Sequence, residues 1–184
     1  MNENNLKAKK LINFGPSGRA VAQPMDNSLL DNFFEHLTME RFANVQYFSI
    51  YLWFQERDLN GFASYFLRES QGEMEHAQKF ADYLIGRGQT VKLKEIPAPT
   101  QNWDSIEHLI SYSFNMEADL TSSLQQLYSI SDRISDTRTN VFLDPIVEAQ
   151  IQSEDDFAHI LGKVKFANNQ PSAILLIDSD LKKK

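Results

Sequence analysis

Cysteine is absent from the 184 residues, which removes disulfides, thiolate metal sites, iron–sulfur clusters and cysteine nucleophiles together. Any metal held by this chain must therefore be held by oxygen and nitrogen, from Asp, Glu and the four histidines. Glycine and proline are also sparse, at seven and six, and no interior stretch is rich in both, which favours a helical protein over a sandwich or barrel. Basic residues are too few to balance the acids, 18 against 25 for a formal charge of -7. That balance argues against a nucleic-acid partner and suits the attraction of cations. No run of eighteen apolar residues occurs, so no membrane span is expected. The amino terminus, MNENNLKAKKLINFGPSGR, has no long apolar stretch before a small-residue cleavage site, and Glu3 and the asparagines suit an organelle-targeting peptide poorly. A cytoplasmic protein is expected, with residues 1–26 forming a disordered arm.

What is present, from residue 27 to 184, has the length of one core-forming domain. From Asn27, a candidate N-cap, to Arg57 there is no Pro or Gly, and apolar residues recur at helical spacing; Asp58-Leu59-Asn60-Gly61 then reads as a turn. A second periodic stretch runs from Phe62 to Arg87 and ends at Gly88, a natural helix-terminating residue. The pattern breaks over Gln89–Trp103, where VKLKEIPAPTQN sets two prolines among polar residues. Asp104 and Glu107 have capping-box spacing and open a third helix that reaches Ser131. A fourth extends from Thr137 to Ala167, with a kink expected at Pro145. A short terminal helix, Ser172 to Leu181, follows Pro171. Helices of this length span roughly 40 Å, and a connection of about fifteen residues can run that distance. Short links elsewhere and one long link between the second and third helices predict an all-α four-helix bundle with a long crossover and a short fifth helix.

Alternating steps of four and three residues keep positions on one helix face. The first helix then contributes Phe33, Leu37, Glu40, Asn44, Tyr47, Tyr51 and Phe54, and the second Phe62, Phe66, Glu69, Glu73, His76, Phe80 and Tyr83. The third contributes Ile106, Ile110, Ser113, Glu117, Leu120, Leu124 and Leu127, and the fourth Leu143, Val147, Gln150, Glu154, Phe157, Leu161 and Val164. Each stripe is mostly apolar and carries an acid near its middle. A buried carboxylate costs several kcal/mol unless it is protonated, paired or bound to a cation. No lysine or arginine lies on any stripe, so a multivalent cation is the economical partner. Glu73 and His76 share one turn and can ligate the same ion. A lone Glu-x-x-His on a helix is commonly just a solvated face, and Tyr47 alone is an ordinary core tyrosine. The weight comes from coincidence: Glu40 and Glu73 lie 33 residues apart, as do Glu117 and Gln150, which brings polar groups to one level in each antiparallel pair. One Glu-x-x-His with glutamates from two other helices suits iron or manganese.

The stretch MERFANVQYFSIYLWFQERDLNGFASYFLRESQGEMEHAQKFADYL resembles the first two helices of non-haem ferritins, and NMEADLTSSL and FLDPIVEAQIQSEDDF resemble the third and fourth. The resemblance spans residues 27–182 and is nearest to bacterial and cyanobacterial members. It implies an iron-storage function with ferroxidase activity, in which ferrous iron is oxidised by dioxygen at a di-iron site. By the resemblance Glu40 is the terminal ligand of the first iron, Glu73 the bridge, His76 the nitrogen ligand of the first iron and Glu117 a ligand of the second. Gln150 stands beside the second iron and Tyr47 near the site. The resemblance further implies a homo-oligomeric cage of twenty-four copies that holds the ferric mineral.

Departures from the family pattern matter as well. Ser153 stands where some bacterial ferritins carry a glutamate of a third iron site, with Glu148 and Glu154 as the nearby substitutes. At the start of the fourth helix, where animal ferritins line an access channel with acids, this chain offers Asn140 and Leu143, with Asp136 and Asp144 nearby. A path past Glu69 and Asp144, read as unpaired acids, is the alternative route. Met74 follows Glu73 where bacterioferritin has its haem-ligating methionine, but bacterioferritin repeats Glu-x-x-His where this chain has Gln150 and Ser153; no haem is expected. Other di-iron oxidases of the fold usually carry that second motif too. Trp53, Phe48, Phe34, Tyr65 and Leu84 fall off the stripes and are expected outside, and with the apolar AILLID segment they predict contacts between copies.

Overall fold

A computed structural model of the chain describes residues 12–182. The elements are β1 (Asn13–Phe14), β2 (Ala20–Val21), α1 (Asn27–Gln55), α2 (Asn60–Gly86), α3 (Ile106–Arg133), α4 (Thr137–Ala167) and α5 (Pro171–Leu181). Cross-helix contacts give the directions. Phe33 meets Phe80 and Tyr83, Asn44 meets Ser70, and Phe54 meets Phe62, so α1 and α2 are antiparallel. Tyr128 with Asp144 and Glu117 with Gln150 make α3 and α4 antiparallel. His36 with Ser123 and Tyr47 with Glu117 make α1 and α3 antiparallel as well. The second and third helices are thus parallel, and only a long crossover can join them. That crossover lies along α1, where the Gln46 amide exchanges bonds of 2.9 and 2.8 Å with the backbone of Thr100 and Arg41 donates to the Lys94 carbonyl at 2.7 Å.

The core divides into two apolar clusters. Leu29, Phe33, Leu37, Phe80, Leu84, Leu127 and Leu143 fill one end of the bundle. Tyr47, Phe54, Phe62, Phe66, Ile110, Phe157 and Val164 fill the other, with Ile174, Ile177 and Leu181 of α5 packed on it. Between the clusters lies a buried polar belt of Glu40, Glu73, Glu117 and Gln150.

Several helix ends differ from the sequence reading. Asp26, not Asn27, caps α1, its carboxylate accepting from Ser28 N at 2.8 Å; both residue types cap well, and the acid one place earlier reaches the free amide. The capping box expected of Asp104 and Glu107 is replaced by Ser105, whose hydroxyl accepts from His108 N at 3.0 Å. The first helix stops at Gln55 and the second starts at Asn60. Gly88 terminates the latter at φ 80°, a left-handed conformation that costs glycine little. Through Pro145 α4 is continuous; Val141, whose carbonyl loses its usual partner there, is exposed.

The arm expected to lack structure is, from residue 12 onward, partly a hairpin, with Asn13 opposite Val21 and Phe14 opposite Ala20. Ser17 donates to the Gly88 carbonyl from both its amide and hydroxyl, at 3.1 and 2.9 Å, so the hairpin is held by the end of α2. Residues 1–11 lie outside the described residues. Of the side chains expected outside, Phe48 is exposed and Phe34 and Trp53 are half-buried, whereas Tyr65 and Leu84 are buried within the chain. Both face the core because helix packing buries a band wider than a strict seam.

Candidate metal centre

Each belt residue is placed by its own helix. Glu40 sits mid-way along α1, Glu73 and His76 share a turn of α2, Glu117 is on α3 and Gln150 on α4. Ligand atoms from Glu40, Glu73 and His76 all lie within 4.8 Å of one another. His76 Nδ1 is 3.1 Å from Glu73 Oε2 and 3.7 Å from Glu40 Oε2. Glu117 is held from two sides: the Tyr47 hydroxyl donates to Oε1, and Gln150 Nε2 donates to Oε2 at 2.8 Å. Tyr47 is itself clamped between Phe66 and Phe157. Glu40, Glu73 and Glu117 are buried between the two apolar clusters, in a medium of low dielectric.

The electrostatics follow from that burial. Burial pushes the Glu73 carboxyl well above its usual range; His76 opposes this, and the charges of Glu40 and Glu117 add to it. Glu117 is likewise raised by burial, against the donors Tyr47 and Gln150. Burial also acts upward on Glu40, but His36 and His76 outweigh it and hold this carboxyl below the usual range. The adjoining Glu40 and Glu73 carboxylates push the His76 imidazole up to about 10. Protons thus stand in for positive charge among these acids, and a cation that took their place would have to displace them. Glu40 Oε2 is a buried oxygen without a hydrogen-bond partner. An orphaned carboxylate oxygen beside an imidazole and a second carboxylate, all hard oxygen and nitrogen donors, fits a divalent transition metal.

Some expectations are corrected here. Glu154, counted as the fourth stripe acid, is half-buried and accepts from the Thr121 hydroxyl; Gln150 is the buried polar group of α4. Asp144 is not unpaired, since Oδ1 accepts from the Tyr128 hydroxyl at 2.9 Å. Asp136 is buried and paired with Arg87 at 2.7 Å. Glu69 is half-buried, and burial with the charges of Glu117 and Asp156 raises its carboxyl to about 7. Glu148 is exposed.

The sequence reading missed His36. It is fully buried, with Nε2 2.9 Å from Glu40 Oε1 and Nδ1 3.0 Å from the Ser123 hydroxyl. The available signal was a histidine four residues before a stripe acid, a spacing that puts both on one helix face. It lies one position off the stripe, beside Leu37.

Three comparisons with known proteins bear on this geometry. A family model described as a ferritin-like domain matches residues 31–167. A bacterial non-haem ferritin of Bacteroides fragilis is 29% identical over 147 residues, covering 80% of this chain and 91% of that protein. Among solved structures, an open-pore ferritin of the archaeon Archaeoglobus fulgidus superposes with a TM-score of 0.84 at 23% identity, over 88% of this chain and 99% of that one. A PmFTN variant soaked in iron superposes with a TM-score of 0.80 at 31% identity, over 84% of this chain and 98% of that one.

Proposed function

Because the chain belongs to the ferritin family, we propose that it stores iron and that the buried belt is a ferroxidase centre. Ferrous iron is the substrate and dioxygen the oxidant, each ferrous ion giving up one electron. Glu40 and His76 bind the first ion, Glu117 the second, and Glu73 bridges the two. Gln150 orients Glu117 and stands beside the second ion. The observation that carries this reading is the convergence of Glu40, Glu73 and His76 within 4.8 Å inside an apolar bundle. Carboxylates favour the ferric state because their charge stabilises the higher oxidation state, and surrounding apolar side chains limit solvent access and tune the site. Iron without haem is the metal chemistry that this donor set suits.

Glu73→Gln tests the reading. The amide keeps the shape but removes the charge and the ability to bridge. Rapid oxygen-dependent absorbance in the near ultraviolet after addition of Fe(II) should be lost. The metal-free variant should be at least as heat-stable as the wild type, because a buried acid without a cation is itself destabilising. Wild-type oxidation kinetics in Glu73→Gln would overturn the assignment.

A further inference from the structure

Resting on that reading of the site, we propose that His36 is a positioning residue for the first-ion site, presenting Glu40 to the metal through one oxygen. The two terminal carboxylates need comparable support, and the structure provides it unequally to the eye. Glu117 has two conspicuous donors, Tyr47 and Gln150. Glu40 has the His36 imidazole 2.9 Å from Oε1 and the candidate ligand His76 3.7 Å from Oε2.

That imidazole is placed from three helices. It leaves α1 one turn before Glu40, its ring lies 4.4 Å from the Phe80 ring of α2, and Nδ1 is 3.0 Å from Ser123 of α3. A carboxylate can only accept, so the tautomer that serves Glu40 carries its proton on Nε2, and Nδ1 then accepts from the Ser123 hydroxyl. In that tautomer serine, histidine and glutamate line up as a relay of donors directed at the site, with the final contact at 2.9 Å. The contact at Nε2 has the length of a hydrogen bond but not its alignment. Glu40 Oε2 has no hydrogen-bond partner. Imidazole occupies one oxygen, and the other is left facing Glu73 and His76 as the ligand atom.

Outer partners of this kind set the orientation of a ligand, and their loss typically costs about 10- to 100-fold in metal affinity. The test is anaerobic titration of the full chain with Co(II), followed by calorimetry and visible absorption. His36→Leu should weaken the first Co(II) by about 10- to 100-fold and alter its ligand-field bands, while His36→Gln, whose amide can still donate to Glu40, should restore binding to within a few-fold. Ser123→Ala leaves the imidazole in place without its orienting partner and should give a smaller loss in the same direction, which preserves the test should His36→Leu fail to fold. Unchanged Co(II) affinity and spectrum in His36→Leu and Ser123→Ala would overturn the inference. So would equal losses in the Leu and Gln variants that follow their loss of thermal stability, the pattern of a purely packing role. A wild-type chain that bound no Co(II) at these carboxylates would instead overturn the underlying site reading, and the inference with it.

Discussion

Tyr47 donates its phenolic proton to Glu117 from a position with no solvent exposure. Burial, and after it the negative charge of Glu117, pushes the phenol well above its ordinary value, so it stays protonated. A phenol hydrogen-bonded to a carboxylate is also arranged to lose an electron while passing its proton to that carboxylate. Tyr47→Phe separates this chemistry from packing, since the ring and its contacts with Phe66 and Phe157 remain. We expect slower oxidation in stopped-flow traces and loss of any transient phenoxyl signal in electron paramagnetic resonance. Stability should fall by about 1–3 kcal/mol, because Glu117 keeps its burial and loses a donor. Traces and spectra identical to the wild type would leave Tyr47 a packing residue. That Glu40, Glu73 and Glu117 stand on inner helix faces was legible from spacing, because an acid amid apolar positions stands out, and His76 follows from sharing a turn with Glu73; by spacing Tyr47 was only a core tyrosine, and its nearness to the acids came from the family resemblance. His36 was less legible: an imidazole in an apolar run has no sign of its own until its partner is known. Glu154 misled for the opposite reason: it stands on the stripe between the buried Gln150 and Phe157, yet its own side chain is half-buried and meets the Thr121 hydroxyl instead of the other acids.

At the scale of elements, α5 is held by its apolar face and also by a polar tie to α2. Asp178 accepts from the amides of Gly61 and Phe62 at 2.8 and 2.9 Å, thereby capping α2, whose own N-cap residue, Leu59, makes no side-chain bond. A carboxylate at a helix N-terminus satisfies free amides and interacts favourably with the helix dipole. The approach is so close that a Cβ at Gly61 would stand 1.7 Å from the Asp178 carbonyl oxygen. Asp178→Ala should lower stability by about 0.5–2 kcal/mol and speed proteolysis within α5. Gly61→Ala should do more, because the backbones must separate. Equal melting temperatures and cleavage rates in both variants would show that α5 is held by its apolar face alone. No reading of one chain segment could have found this cap, since its two halves are more than a hundred residues apart. The same limit explains the hairpin at residues 13–21, whose anchor at Gly88 is equally remote. The four long helices and the crossover were legible, because apolar periodicity and the two prolines of the connection are local signals. Their caps were less so, with Asp26 beside Asn27 and Ser105 beside Asp104 both chemically acceptable.

For the whole molecule, the apolar residues left outside are too many for an isolated bundle. Phe48, Leu52, Met74 and Leu93 are exposed, as are Phe166, Leu175 and Leu176 around α5. Patches of this kind ordinarily mark interfaces, and closed symmetry covers them in repeated contacts. No described helix is long and apolar enough to cross a membrane. We propose that they meet further copies of the chain in a closed cage, by likeness to the family one of twenty-four, in which oxidised iron is kept from solvent. The most direct test is to add Fe(II) to the purified protein in air, well above two ions per chain, and then separate the products by size exclusion with light scattering while assaying iron and protein together. Ferric iron should co-elute, far in excess of two per chain, with a particle many times the 21.2 kDa mass of the monomer. A monomer or dimer that carried no more than two irons, with the remainder precipitated, would contradict the storage function.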